Sequence, residues 1–284
     1  MSSAKVWFVT GASSGFGLHV TECALRHGDK VVATLRRPPM LAELAAQYPS
    51  SQLLVLKMDV TEAEDVSKAF ADAKAHFGRI DVVFNNAGLG HMGELEGTPE
   101  EFARAVLEVN FWGAVKVTKE AVRFFREENN PQGGLLLQNS SMMGLIASQC
   151  TPFYVAAKWA LEGATQSLSM ELDPAWNIKL ILVEPGWFRT GIASAALRAP
   201  VHPAYKESPG VVKFREWAAT NPLEPGDPAK AAEAILKIAD LPDPPLRFPL
   251  GRDCIASVKN RDDKLRDVIE EYGHWSDGLD VEAR

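Results

Sequence analysis

The first two-thirds of the chain alternate short apolar runs with amphipathic segments. Most of the runs are apolar at nearly every position, as expected for parallel strands that helices cover on both faces. Right-handed crossovers between such strands produce a single doubly wound sheet. We therefore predict an α/β fold built on a doubly wound parallel sheet. The predicted strands are residues 6–9, 30–34, 53–57, 80–84, 134–139 and 179–183.

Some of the intervening helices have recognisable ends. Thr61 followed by Glu64 matches a capping box, which predicts a helix start at Thr61. Gly28 is placed where a glycine ends a helix, and Asp227 precedes a proline at the first position of a late helix.

The last third of the chain has a different organisation. Residues 185–225 are rich in proline, alanine and aromatic residues and show no strand pattern. A long insertion of this kind is usually functional, so we predict that residues 187–225 cover the substrate. A last strand near residues 246–248 and a charged helix over residues 252–273 follow. No linker divides the chain, which we interpret as one domain, residues 1–284, with a helical substrate-binding insertion.

Composition excludes several classes of function. The net charge is -7 and the basic residues are scattered, which argues against nucleic-acid binding. No stretch approaches eighteen apolar residues, so neither a signal peptide nor a membrane span is predicted. The cysteines Cys23, Cys150 and Cys254 are too few and too far apart for a disulfide framework, and the six histidines do not cluster at ligand spacings. We expect a cytoplasmic protein without a metal site.

A glycine-rich turn follows the first strand and opens the first helix. Residues 10–17 read Thr-Gly-Ala-Ser-Ser-Gly-Phe-Gly. Glycines permit a tight turn and a close approach of phosphates, and the helix N-terminus offers free N–H groups and the positive end of its dipole. The spacing differs from the common G-x-G-x-x-G fingerprint. The position still predicts a dinucleotide pyrophosphate site in a Rossmann-type fold.

The end of the second strand indicates which dinucleotide is bound. An acidic residue there would accept hydrogen bonds from the ribose 2′-hydroxyl and favour NAD. This chain has Leu35 and Arg36 instead, and an arginine pairs well with a 2′-phosphate. We predict NADP(H). Asp59, after the third strand, is either an acceptor for the adenine amino group or part of the cap at Thr61.

Three residues predict the chemistry. Lys158 lies one helical turn after Tyr154, and Ser141 ends the fifth predicted strand. A free tyrosine has a pKa of about 10, and a neighbouring ammonium would bring it towards neutrality. Tyr154 would then exchange a proton with the substrate oxygen during hydride transfer, while Ser141 donates a hydrogen bond to that oxygen.

This set of motifs resembles the short-chain dehydrogenase/reductase family over residues 5–190. Residues 85–88, Asn-Asn-Ala-Gly, are similar to the stretch that stabilises the family's central sheet and lines its cofactor site. Asn110, in the fourth predicted helix, matches the family's fourth catalytic residue. The resemblance implies that Asn110 distorts its helix and holds a water that links Lys158 to solvent.

The resemblance also implies cofactor contacts outside the glycine turn. Pro185 and Gly186, with Thr190, resemble the segment that holds the nicotinamide carboxamide, although Trp187 replaces the small residue that often follows. Ser13 matches a contact to the 2′-phosphate. The residues expected to bind the cofactor are Gly11, Ser13, Ser14, Gly15, Phe16, Gly17, Arg36, Asp59, Val60, Asn86, Ala87, Gly88, Tyr154, Lys158, Pro185, Gly186, Phe188 and Thr190.

A narrower likeness concerns the substrate and the assembly. Residues 31–36 and 246–251 resemble the branch of 17β-hydroxysteroid dehydrogenases, retinol dehydrogenases and related ketoreductases, which implies a bulky, apolar substrate. The family's glycine-rich last strand is missing, so a dimer through the fourth and fifth helices is as good an expectation as a tetramer. The residues expected near the substrate are Met142, Met143, Trp187 and Trp217, with the loop at residues 89–92.

The sequence thus predicts an NADPH-dependent carbonyl reductase. Tyr154 is the acid and base, Lys158 its electrostatic partner, Ser141 the oxyanion donor and Asn110 the support of a proton relay. One alternative is an isomerase, epimerase or other pathway-specific enzyme that uses bound NADP. Another is a non-catalytic protein that senses NADP(H), although a sensor has no need for four catalytic groups.

Overall fold

The computed structural model describes residues 4–220 and 226–281. Seven parallel strands form the main sheet in the order β3-β2-β1-β4-β6-β7-β9, and β5 pairs with β8 separately. The strands are β1 (Val6–Thr10), β2 (Lys30–Leu35), β3 (Leu53–Lys57), β4 (Val82–Asn85), β5 (His91–Met92), β6 (Gly134–Asn139), β7 (Ile178–Pro185), β8 (Leu197–Arg198) and β9 (Arg247–Leu250).

Helices cover the sheet on both faces. Helices α1 and α8 contribute to one apolar layer, and α3 and α5 contribute to the other, where Phe70 stacks on Phe8 and lies tilted against Phe124. The helices are α1 (Gly15–Arg26), α2 (Ala42–Ala45), α3 (Ala63–Phe77), α4 (Glu100–Leu107), α5 (Ala114–Glu127), α6 (Pro152–Glu171), α7 (Pro209–Thr220), α8 (Pro228–Ala239) and α9 (Arg252–Tyr272).

This architecture confirms the predicted α/β fold, because each predicted strand is present as part of one parallel sheet. The strand order reverses between β1 and β4, where the chain returns to the centre of the sheet after β3. Ligands of doubly wound sheets bind at the carboxyl ends of the strands beside such a reversal. The residues that follow β1, β2, β4, β6 and β7 therefore share one edge of the molecule.

The insertion after β7 has more regular structure than its sequence predicts. It contains β8, which pairs in parallel with β5, and helix α7. The expectation of a segment without strands is wrong, because a two-residue strand is too short to show a hydrophobic period. Residues 221–225, the end of the predicted cover, lie outside the described residues.

The helix ends match the predictions in part. Gly28, which follows the C-cap residue of α1, has a φ of +87°, and the Asp227 carboxylate accepts hydrogen bonds from Ala229 N and Lys230 N at the start of α8. The capping box at Thr61 is wrong: α3 begins at Ala63, and Thr61 instead donates twice to Asp59. Across the described part of the chain, no helix combines the length and the apolar character that crossing a bilayer requires.

Candidate active site

The glycine turn has the geometry of a phosphate cradle. Gly11 and Gly15 adopt φ values of +66° and +54°, in the region that favours glycine. A Cβ at Gly17 would lie 2.3 Å from the Gly11 carbonyl oxygen, so the turn tolerates no side chain there. No side chain caps α1, although Ser14 is its N-cap residue. The N-terminus of α1 is therefore free to bind an anion, as a pyrophosphate requires.

The Asn-Asn-Ala-Gly segment ties this turn to the centre of the sheet. Asn86 N and Ala87 N both donate to Thr10 Oγ1, at 2.8 and 2.9 Å, and Asn86 Nδ2 donates to Thr10 O at 2.9 Å. Asn139 Nδ2, at the end of β6, donates to Asn86 Oδ1 at 2.9 Å. These bonds fix the ends of β1, β4 and β6 relative to one another, as the family resemblance implies.

The end of β2 lies beside the glycine turn. Ala12 N donates to Thr34 O at 3.1 Å, which brings Ser13 and the β2 end to the same edge. Leu35 is buried, whereas Arg36 is exposed at the following position. Asp59 Oδ1 accepts from Thr61 N and Thr61 Oγ1, at 3.0 and 2.9 Å, and Val60 beside it is buried.

The segment after β7 lies across the same turn. A Cβ at Gly15 would stand 3.4 Å from Thr190, and the rings of Phe16 and Phe188 have centroids 5.2 Å apart. The residues expected to bind the cofactor in the segment 185–190 thus lie next to those of the glycine turn.

A residue that the sequence analysis did not identify orients this segment. Trp187 N donates to Asp253 Oδ2 at 2.6 Å, and a Cβ at Gly186 would lie 2.3 Å from the same carboxylate. Asp253 is in the first turn of α9. An acidic residue in a first helical turn usually serves its own helix, so its sequence position gave no indication of this contact.

Tyr154, Lys158 and Ser141 come together between α6 and the end of β6. Lys158 Nζ donates to Asn139 O at 2.7 Å and lies 5.7 Å from the centroid of the Tyr154 ring. Burial raises the pKa of Tyr154 to about 12, against a hydrogen bond with Ser141 that lowers it. Burial also lowers the pKa of Lys158 to about 8, against the charge of Glu162. Burial thus acts against the expected fall of the Tyr154 pKa towards neutrality, which stays a prediction for the site with a dinucleotide bound.

Asn110 lies in a π-helical turn, Glu108–Gly113, between α4 and α5. Asn110 Oδ1 accepts from Leu89 N at 2.7 Å, and its Nδ2 donates to Leu89 O at 2.8 Å. The helix distortion that the resemblance implies is present. The same two bonds hold the loop that leads to His91 and Met92.

Behind Lys158 lies a buried charge network that the sequence did not reveal. Glu162, one turn after Lys158, and Glu184 of β7 are both buried and both accept from Arg247 Nη1; the distance from Arg247 to Glu184 is 2.9 Å. Burial raises the pKa of Glu162, and burial with the Glu162 charge raises the pKa of Glu184 to about 7. These residues are far apart in the sequence, so no spacing connects them.

The predicted substrate residues form an apolar wall beside Tyr154. Met142 and Met143 are buried in one cluster with Cys254, and Tyr154 and Trp187 pack against it. The Trp187 ring lies 4.3 Å from the Trp217 ring, between centroids. The structure therefore brings together all four residues that the sequence analysis assigned to the substrate.

A buried ion pair fastens the insertion to the body. Arg215 of α7 donates from Nε and Nη2 to the two oxygens of Glu94, at 2.8 and 3.0 Å. His202 N donates to the same carboxylate at 3.2 Å. Burial alone would raise the pKa of Glu94, but the bonds from Arg215 and the backbone lower it. Helix α7 is thus tied to the loop after β5.

Away from the site, Cys23, His27 and Glu233 place their ligand atoms within 4.8 Å of one another. Arg26 pairs with the same carboxylate at 3.7 Å, and burial raises the pKa of Cys23 to about 12. A resident cation beside Arg26 and a protonated thiol would be disfavoured. We interpret this group as a polar contact between α1 and α8.

Known proteins resemble this chain along nearly its whole length. A family model described as short chain dehydrogenase matches residues 5–200. An uncharacterised oxidoreductase of Schizosaccharomyces pombe is 38% identical over 95% of this chain and 89% of its own. The crystal structure of a short-chain dehydrogenase from Streptomyces avermitilis is 37% identical and superposes with a TM-score of 0.88, over 99% of this chain and 100% of that one.

Two further solved structures contain dinucleotides. A 3-ketoacyl-(acyl-carrier-protein) reductase from Brucella melitensis, complexed with NADH, is 26% identical with a TM-score of 0.69, over 83% of this chain and 90% of that one. An alcohol dehydrogenase from Thermococcus sibiricus, complexed with 5-hydroxy-NADP, is 25% identical with a TM-score of 0.69, over 87% of this chain and 95% of that one. Together with the family match, these similarities show that the chain belongs to the short-chain dehydrogenase/reductase family of oxidoreductases.

Proposed function

We propose that this oxidoreductase is an NADPH-dependent carbonyl reductase that acts on a bulky, largely apolar ketone. The observation that carries the proposal is the assembly of Tyr154, Lys158 and Ser141 at the sheet edge that also holds the glycine turn. The apolar wall of Met142, Met143, Trp187 and Trp217 supports the substrate class.

In this proposal the glycine turn and the segment after β7 would hold a dinucleotide, whose nicotinamide would supply hydride to the carbonyl carbon. The chain supplies the proton and the electrostatic field. Ser141 donates a hydrogen bond to the carbonyl oxygen, and Tyr154 transfers its phenolic proton to that oxygen as negative charge develops. The Lys158 ammonium stabilises the resulting phenolate. Asn110, through its hold on Leu89, keeps the neighbouring loop in place and supports the return of a proton from solvent.

The dinucleotide fits the residues present, because the Gly17 position has no room for a side chain and the N-terminus of α1 is uncapped. For the cofactor we propose NADP(H) over NAD(H). Support comes from exposed Arg36 after buried Leu35, close to Ser13, with no carboxylate at either β2-end position. Among the relatives above, complexes with both kinds of dinucleotide occur, so the local residues must decide.

The double substitution Leu35→Asp with Arg36→Ala tests this preference. It removes the cation expected to pair with the 2′-phosphate and adds a carboxylate that would repel it. We expect the ratio of kcat/KM for NADPH over NADH to fall by roughly tenfold or more, since a charge-assisted bond contributes about 1.5–3 kcal/mol. Arg37→Ala serves as the control. A wild-type enzyme that prefers NADH would contradict the proposal.

The activity itself is tested by NADPH oxidation against aromatic, polyketide-like and steroid ketones. Stoichiometric conversion of a ketone to its alcohol would support the reductase. Product formation without net oxidation of NADPH would favour the alternative, an isomerase or epimerase that uses bound NADP. NADPH binding without any turnover would favour a sensor.

We further propose a cytoplasmic homodimer or homotetramer, in line with exposed Trp112 and Trp159 on the helical surface.

A further inference from the structure

The second half of α9 extends away from the body of the molecule. Each described residue from Asp262 to Val281 is exposed. Isolated helices of this length are marginally stable in water, and most helices in proteins are held by the packing of one face. The end of α9 and the residues after it thus lack, within the described chain, the packing that usually stabilises a helix.

A heptad pattern runs through the packed and exposed parts of α9. Mostly apolar residues recur at alternating spacings of four and three. This spacing places them in one line along the helix, here called the seam, as expected of a helix that packs against another helix. At the start of the seam Cys254 is fully buried, Val258 packs beside it, and Arg261 donates to Leu145 O at 3.0 Å. The seam positions in α9 are Cys254, Val258, Arg261, Leu265, Val268 and Tyr272, and Trp275 lies in the 3₁₀ turn that directly follows the helix.

The exposed part of the seam is strongly apolar. Leu265, Val268 and Tyr272 are 55%, 53% and 44% exposed, and Trp275 is 70% exposed. Ile269 beside them is 60% exposed. Contiguous apolar surface of this kind on a soluble protein marks an interaction site. Because the same seam begins as a packed interface with the body, its occupant must continue that packing beyond Arg261.

Charge along α9 identifies the occupant. Within α9, residues 259–266 contain four basic and two acidic residues, whereas residues 267–272 contain three acidic residues and no lysine or arginine. An antiparallel partner with the same sequence would place the basic half of each helix beside the acidic half of the other. A parallel copy would align like charges, and an anionic lipid surface would be repelled by the acidic half.

We propose that the exposed seam of α9 is a homodimer interface, in which two copies of this chain pair their C-terminal helices antiparallel about a two-fold axis. Such a contact is self-complementary, as a closed dimer requires. Five exposed apolar side chains from each copy would bury on the order of 1,000 Å², which is about the smallest area expected of a biological interface. The interface uses none of the proposed catalytic or cofactor residues.

The first experiment changes the seam. Leu265→Asp with Val268→Asp should remove one step of assembly, dimer to monomer or tetramer to dimer, in light scattering across a hundredfold range of concentration. Leu95→Asp alters another exposed leucine, 67% exposed and outside α9, and should leave assembly unchanged. Thermal unfolding and NADPH binding show that both variants are folded. An unchanged assembly in the seam variant, or a monomeric wild type, would overturn the proposal.

The second experiment distinguishes the orientation. Lys264→Glu with Arg266→Glu should weaken association, because these positions would then face the acidic half of the partner. Adding Glu270→Lys and Glu271→Lys should restore it, since complementarity returns with reversed signs. Failure of the fourfold variant to associate while the wild type does would exclude antiparallel pairing. If Trp112→Asp, a variant on another exposed surface, alone abolishes assembly, the interface lies there instead.

Discussion

At the scale of single residues, the charge of Lys158 depends on the buried carboxylates and the arginine that lie behind it. Burial lowers the pKa of Lys158 to about 8, and the Glu162 charge one turn away opposes this. Glu162 in turn shares Arg247 with Glu184. We infer that this network helps to keep Lys158 charged at neutral pH. Glu162 is therefore a positioning residue that acts through Lys158.

Glu162→Gln should shift the pH profile of ketone reduction. Without the carboxylate, the pKa of Lys158 falls further below its ordinary value, and the ammonium is lost at lower pH. The alkaline limb of kcat/KM at saturating NADPH, expected near pH 8 in the wild type, should move down by roughly one unit. Glu171→Gln on the same helix is the control. If Glu162→Gln lowers kcat/KM equally at every pH and leaves the alkaline limb of the profile in place, the role of Glu162 is purely structural.

Gly17→Ala tests the cradle at the same scale. The new Cβ would lie 2.3 Å from the Gly11 carbonyl oxygen and 2.6 Å from Asn86 Nδ2. Overpacking of this kind costs typically about 1–3 kcal/mol, so NADPH affinity should fall by roughly tenfold or more. Gly163→Ala, a glycine of α6 with open space around it, should leave affinity unchanged. Unaltered NADPH binding in Gly17→Ala, measured by titration of fluorescence, would refute the cradle.

At the scale of elements, the insertion that we propose as the substrate cover is anchored to the body at two places. Its strand β8 pairs with β5, and its helix α7 carries Arg215 onto buried Glu94. Leu197 N and Ala199 N donate to Gly90 O and Met92 O, at 3.0 and 2.8 Å. The backbone contacts and the ion pair both hold the insertion against the segment around β5. We infer that this clasp sets the width of the substrate pocket.

Arg215→Met should loosen the cover, because it leaves the Glu94 carboxylate buried without its cation, at a cost of about 3–5 kcal/mol. We expect faster amide exchange in residues 197–217 and a KM for the ketone that rises more than kcat falls, with NADPH affinity retained. Arg104→Met, which breaks an exposed pair with Glu100, is the matched control. Wild-type exchange in the cover would contradict this account.

The sequence predicted secondary-structure elements well where a run of apolar residues or a helix-cap residue marks them. The apolar strands and the caps at Gly28 and Asp227 are local patterns, and the structure confirms them. The box at Thr61 failed because the Thr61 hydroxyl donates to Asp59, two residues before it, and helix α3 begins only at Ala63. The strand β8 and the Glu94–Arg215 clasp involve partners more than a hundred residues apart, which no window along the chain can show.

At the scale of the whole molecule, the fold collects motifs that the chain separates. The glycine turn, the Asn-Asn-Ala-Gly segment, Ser141, Tyr154 and the segment after β7 all follow from parallel strands that end at one edge. Because each motif carries its own chemical pattern, the sequence was sufficient to predict this assembly. The sequence did not predict the residues that position this site, which are Asp253 and the Glu162–Arg247–Glu184 network. These residue types are common, and their role arises only from the neighbours that the fold brings to them.

In the proposed reaction, Tyr154 supplies the proton to the substrate oxygen. Tyr154→Phe retains the ring and its packing against Met142 and Met143 but removes the hydroxyl. Fold and NADPH affinity should survive, whereas single-turnover NADPH oxidation with a ketone that the wild type accepts should slow by roughly 10²–10⁴-fold, the usual contribution of a general acid. Lys158→Met should lower both this rate and NADPH affinity, and the double variant should be little worse than the poorer single variant. Near-wild-type hydride transfer in Tyr154→Phe would contradict the account, because another group would then provide the proton.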